Sequence, residues 1–154
     1  MPASSGGISS PQISSSGRLP GGLKMNLQKR EFKEDYDKAA FYSIMGEFFA
    51  EKKYRDEMPY LVNTEEKEWC LFFANGKLAG FYAHEERERH TAISGVYVLP
   101  AFRQYGVCPF MLEDMLRSFP TVRMVTSNPR LIAMLDERGF HRLSRRGSYI
   151  TMEN

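Results

Sequence analysis

The sequence predicts an α+β domain: a mixed, mainly antiparallel sheet flanked by helices. Three observations lead there. Short apolar or alternating blocks exchange with stretches of three- and four-residue apolar spacing, in the order strand, helix, three strands, helix, strand, helix, two strands. A chain of 154 residues is the size of one domain with a real core. Apolar residues make up 42% and charged residues 26%, the balance of a globular protein rather than a disordered or fibrous one.

Residues 1–24 are Ser, Gly and Pro with scattered Ile and Leu, too little apolar surface to offset the entropy of ordering. They read as a flexible arm preceding a domain over 25–154. The arm is either a plain linker or a segment that orders on a protein partner through Ile8, Ile13, Leu19 and Leu23.

The domain opens with a short edge strand over 26–32. A helix is expected from Glu34 and Asp35, where carboxylates favour a helix start, through Lys53, with Phe41, Ile44, Met45, Phe48 and Phe49 as its apolar stripe. Residues 54–67, with Pro59, make an irregular or short helical connection. Trp69 to Ala74 then reads as a buried strand, and the Asn75-Gly76 pair as the tight turn to its partner, Lys77 to His84. The charged run Glu85 to Arg89 makes a solvated hairpin tip, and Thr91 to Leu99 the next strand. After Pro100 a loop leads into a helix built on Met111, Leu112, Met115, Leu116 and Phe119, stopped by Pro120. Val122 to Thr126 forms a strand. Ser127 or Asn128 caps a helix with Pro129 at its first position and Gly139 at its end. His141 to Met152 closes the domain as two strands turning at Arg146-Gly147.

Charge and cysteine content narrow the function classes. The net charge is +2, and residues 101–154 hold eight arginines against five acids, which suits an anion but falls short of a nucleic-acid footprint. No run approaches the roughly 18 apolar residues of a membrane span. Cys70 and Cys108 are too few and too far apart for a disulfide scaffold or a zinc site, and no metal is expected. No basic-then-apolar leader opens the chain, so a reducing, cytoplasmic compartment is the expectation.

The junction from Val96 to Cys108 carries the chemistry. A tight loop entering a helix leaves backbone N–H groups pointing outward at the positive end of the helix dipole, an arrangement suited to phosphate. Gly106 permits close backbone approach there, and Arg103 brings a cation.

The stretch Pro100-Ala101-Phe102-Arg103-Gln104-Tyr105-Gly106-Val107-Cys108 resembles the acetyl-CoA motif of the GCN5-related N-acetyltransferases (GNAT): Arg or Gln, two residues, Gly, one residue, then Gly or Ala. Asn128 to Phe140 resembles the same family's motif that begins with Asn and closes with Gly-Phe. The resemblance covers 25–154. It implies a splayed parallel strand pair, here Thr91 to Leu99 and Val122 to Thr126, with the pantetheine arm between them. Acetyl-CoA is the implied cosubstrate and an amine the acceptor, small molecule or peptide. The cofactor contacts it implies are Val98, Arg103, Gln104, Tyr105, Gly106, Val107, Cys108 and Asn128, the last at the thioester end.

Three positions depart from the pattern. Cys108 stands where a second small residue is usual, Pro109 removes an N–H from the helix's first turn, and Leu135 occupies the place of a proton-donating Tyr. Replacement phenols are Tyr105, Tyr97 and Tyr149. Glu85, Glu86, His84 and His90 are acid-base candidates at the hairpin. The departures and the arm also suit a second role, a GNAT fold without chemistry that serves as a binding or structural subunit of a larger assembly such as a virus particle.

Overall fold

The computed structural model describes residues 17–18 and 24–154, with side chains from Asn26 onward. Gly17–Arg18 (β1) and Lys24–Met25 (β2) pair antiparallel as a two-residue ladder. The proposed arm anchors Ile8, Ile13, Leu19 and Leu23 lie outside the described residues. Seven strands form the main sheet: Leu27–Phe32 (β3), Glu68–Ala74 (β4), Lys77–Glu86 (β5), Thr91–Val98 (β6), Val122–Thr126 (β7), His141–Arg146 (β8) and Tyr149–Glu153 (β9). Their order is β3-β4-β5-β6-β7-β9-β8, antiparallel at every step except β6 to β7.

Helices Lys38–Ala50 (α1) and Lys52–Glu57 (α2) cover one face, and Val107–Ser118 (α3) and Pro129–Glu137 (α4) the other. Because side chains alternate along a strand, Trp69 and Leu71 enter the first layer with Phe41, Met45 and Phe48. Cys70 and Phe72 enter the second with Val107, Met111 and Leu135. Burial on both faces explains why β4 reads as an unbroken apolar block.

Several boundaries differ from expectation. The first helix ends at Ala50 rather than Lys53, because Glu51 turns extended at ψ 136° and a second helix starts at Lys52. The first helix starts at Lys38 rather than near Glu34, because Asp37 is the N-cap, its carboxylate accepting the Ala40 N–H at 3.1 Å, while Asp35 turns at φ +57°. β5 runs on through Glu85 and Glu86, which pair with Ala92 and Thr91. The hairpin tip is therefore confined to residues 87–90, closed by the Arg87 N–H on the His90 carbonyl.

The feature that shapes the site is a bulge in β6. Phe81 opposes Tyr97 and Ala83 opposes Ser94, so Gly95 and Val96 together face Tyr82. Two residues against one bend a strand. Gly95 takes φ +61°, and a Cβ there would meet Leu61 at 3.1 Å, so the bend requires glycine. β6 and β7 pair only over Thr91, Ala92 and Ile93 against Val122, Arg123 and Met124. Beyond those three pairs β7 continues its ladder with β9, and the parallel pair is splayed.

Candidate active site

Where β6 and β7 part, a cleft of about 750 Å³ opens, within the usual range of ligand pockets of roughly 300–1,000 Å³. Four segments line it. β6 supplies Val96, Tyr97 and Val98. The junction and α3 supply Phe102, Arg103, Gln104, Gly106, Cys108 and Pro109. α4 supplies Asn128, Arg130, Leu131, Ala133 and Met134, and Glu57, Met58 and Tyr60 close the mouth from the α2 side.

The junction folds as a short 3-10 turn, Pro100–Phe102, followed by two left-handed residues, Gln104 at φ +73° and Gly106 at φ +84°. Successive turns of this kind gather backbone N–H groups into an anion-binding hollow. Gly106 is the N-cap of α3 and has no side chain to offer, so the first-turn N–H groups of Val107 and Cys108 have no side-chain cap. Pro109 contributes none. At α4 the N-cap is Asn128, whose Oδ1 accepts the Arg130 N–H at 2.9 Å and the Leu131 N–H at 3.3 Å. Its Nδ2 has no hydrogen-bond partner among the described residues, and Asn128 lines the cleft. Arg130 lines the cleft with no ion pair among the described residues.

Arg103 is already engaged. Its Nε donates to the Val98 carbonyl at 2.8 Å, its Nη2 lies 3.0 Å from Glu57 Oε2, and its guanidinium stacks 5.2 Å above the Tyr97 ring. Tyr97 donates its hydroxyl to Glu57 Oε1 at 2.9 Å. Burial, followed by that hydrogen bond, raises the Tyr97 phenol above its ordinary range, so it stays a donor.

Of the expected contact residues, Val98, Arg103, Gln104, Gly106, Cys108 and Asn128 line the cleft. Tyr105 and Val107 do not: both side chains pack into the α3 core layer, leaving only their backbone near the junction. The acid-base candidates fare unevenly. Glu85 pairs with Ala92, six residues along β6 from Val98, roughly 20 Å at the rise of a strand. It holds Arg87 at 3.3 Å. Glu86 and His90 lie at the same remote end. His84 is buried against Phe119 at 4.8 Å, and burial, then Lys29 and Lys33, push its imidazole down to about 4, so it is neutral. None of these four reaches the cleft. Tyr149 is exposed on β9 and sits close enough to Tyr60 to raise its phenol, after burial and ahead of Glu57. Leu135 is fully buried in the core.

Glu57, Met58 and Tyr60 were not among the expected site residues, nor was Arg130. Glu57 sits in the run Lys-Lys-Tyr-Arg-Asp-Glu, indistinguishable by composition from a solvated helix face, and its role emerges only through Arg103, 46 residues away.

Comparison with known proteins agrees with this architecture. The profile of the acetyltransferase (GNAT) family matches residues 27–140. No curated protein matches the chain. Among solved structures, ElaA of Escherichia coli superposes with a TM-score of 0.64 at 16% identity, covering 84% of this chain and 99% of that one. The ribosomal-protein-S18-alanine N-acetyltransferase of the same organism gives 0.58 at 20% identity, over 82% and 92%. The PaiA N-acetyltransferase of Thermoplasma acidophilum, in complex with coenzyme A, gives 0.53 at 17% identity, over 78% and 80%. At such identities the structural likeness speaks for the fold. The family profile, spanning most of the domain, supplies the assignment: the chain belongs to the GNAT acetyltransferase family.

Proposed function

We propose that the protein is an N-acetyltransferase that takes its acetyl group from acetyl-CoA and delivers it to an amine. The observation that carries this reading is the coincidence of the β6/β7 divergence with the left-handed junction: a slot for an extended chain ends at a hollow of backbone N–H groups. The bound thioester supplies an activated acetyl group; the chain supplies placement and polarity.

In this reading the N–H groups from Gln104 to Cys108 receive the diphosphate, and Arg130, which has no ion pair among the described residues, adds a cation. The free edge of β6 offers backbone partners to the amides of the pantetheine arm, as an added strand does. The bulge at Gly95 and Val96 leaves backbone polar groups outside the ladder beside the reacting end, where a preorganised N–H stabilises developing oxyanion charge. Asn128 Nδ2 is available there as a second donor. Since Leu135 cannot protonate a leaving thiolate, the available donor at the mouth is the Tyr60 phenol, with Tyr149 near it but outside the cleft lining. Holding thioester and amine together in one cleft supplies much of the rate.

The test is a thermal melt with and without acetyl-CoA, paired with thiol release in the presence of a panel of amines. Ligand at about 100 times its Kd stabilises the folded state by about 2.7 kcal/mol, a clear upward shift in Tm. Arg130→Ala is expected to reduce the shift. No shift at millimolar acetyl-CoA would overturn the reading in favour of a binding role without chemistry.

A further inference from the structure

The carboxylate of Glu57 faces the cleft mouth with both oxygens occupied, one by the Tyr97 hydroxyl and one by Arg103. Arg103 in turn belongs to the junction that forms the anion hollow. One ion pair therefore joins the anion end of the cleft to the α2 wall. It is half-exposed, the two side chains being 42% and 44% accessible, and pairs of that kind shift an equilibrium by about 5-fold at most. A phosphate group competes well for such a guanidinium, because charge-assisted and bidentate bonds to phosphate are stronger than a solvated pair.

We propose that the Arg103–Glu57 ion pair is a latch: phosphates of CoA draw Arg103 away, and the Glu57 oxygen it releases becomes the receptor for the ammonium of a cationic acceptor. The proposal rests on the cofactor reading above and adds the acceptor's charge class and the residue that selects it. With Arg103 in place the carboxylate is neutralised and offers a cation little. Once released, Oε2 is free while Tyr97 still holds Oε1, so the carboxylate keeps its direction. The coupling is reciprocal: a cation on Glu57 favours the state in which Arg103 is free for phosphate.

The sign of one substitution tests it. In calorimetric titration of CoA into the full chain at low ionic strength, Glu57→Gln is expected to bind CoA about 2- to 5-fold more tightly than wild type, because Arg103 no longer leaves a carboxylate. The gain is expected to vanish in an Arg103→Gln background. Equal or weaker binding by Glu57→Gln overturns the latch and makes Arg103 a fixed strut. No CoA binding by either protein, with both melting cooperatively, removes the cofactor reading and the latch with it. For the acceptor half, the probe is n-propylammonium with the Glu57 carboxyl carbon followed by NMR. Its signal is expected to move in CoA-saturated protein and far less in the free protein. A signal that moves equally in both, or in neither, overturns the release of Glu57.

Discussion

Tyr82, on β5, donates its hydroxyl to Asp114 Oδ2, on α3, at 2.8 Å, and the same carboxylate lies 2.9 Å from the Lys29 ammonium on β3. Asp114 is 3% exposed, and the pair is the polar tie between the sheet and the helix that opens at the junction. Removing one partner of a buried ion pair leaves the other charge stranded, at a cost of about 3 kcal/mol. Glu31, 3.1 Å from Lys29, offsets part of it. Asp114→Asn, which keeps an acceptor for Tyr82, is therefore expected to lower Tm by roughly 6 to 12 °C in a circular-dichroism melt. Replacing both members with apolar residues, Lys29→Met with Asp114→Leu, is expected to recover much of the loss. A single variant that melts like wild type would show that the tie carries little.

Two glycine-to-alanine changes should act in opposite directions. At Gly80 a Cβ would stand 2.9 Å from the Tyr97 carbonyl oxygen and 3.2 Å from both Met111 Sδ and Val107 Cγ1. The carbonyl belongs to β6 and cannot withdraw without shifting the cleft wall, so Gly80→Ala is expected to cost about 1–3 kcal/mol and to weaken CoA binding. Gly46, inside α1, has open space around its would-be Cβ. There alanine is expected to add about 0.5–1 kcal/mol through helix propensity. Urea melts of the two variants compare the signs directly.

What was legible in the chain was what local chemistry dictates. Asn75-Gly76 demanded a tight hairpin, and the two residues adopt φ of +53° and +79°. Pro129 and Gly139 marked the ends of α4 because each serves a local backbone need, while the cap was narrowed to Ser127 or Asn128, of which Asn128 serves. Among Glu34, Asp35 and Asp37, by contrast, composition could not say which carboxylate caps α1, since any of the three can accept an N–H. The bulge at Gly95 was hidden inside an ordinary strand pattern, because its cause lies in Leu61 and Trp69 packed against it. The cleft's α2 wall was equally illegible. Glu57 has no motif around it, and its meaning is set by contacts remote in sequence.

His84 gives the protein an acid limb of stability. Burial first, then Lys29 and Lys33, lower its imidazole from an ordinary 6.5 to about 4, and its Nε2 has no hydrogen-bond partner among the described residues. Below pH 6.5 the unfolded chain takes up a proton that the folded protein refuses, so stability is full above that pH and declines as pH falls toward 4. The loss reaches about 3 kcal/mol across the window. His84→Gln is expected to flatten this decline in urea melts between pH 7.5 and 4.5. An unchanged slope would locate the acid sensitivity elsewhere.

Cys108 sits in the first turn of α3, where a helix N-terminus ordinarily favours thiolate. Burial wins instead, pushing the thiol up to about 11 against a smaller opposing pull from Arg138. Cys70, more deeply buried, is pushed up to about 12. Both are therefore neutral thiols at pH 8. Iodoacetamide is expected to modify Cys108 roughly two orders of magnitude more slowly than a free cysteine, and Cys70 more slowly still, with the Cys108 rate climbing as pH passes 10. Peptide mass spectrometry of timed samples separates the two sites, and rapid modification of Cys108 at pH 7.5 would show a thiolate. Because Cys108 lines the cleft beside the anion hollow, saturating CoA is expected to slow its modification further. A rate indifferent to CoA would place the phosphates away from the first turn of α3.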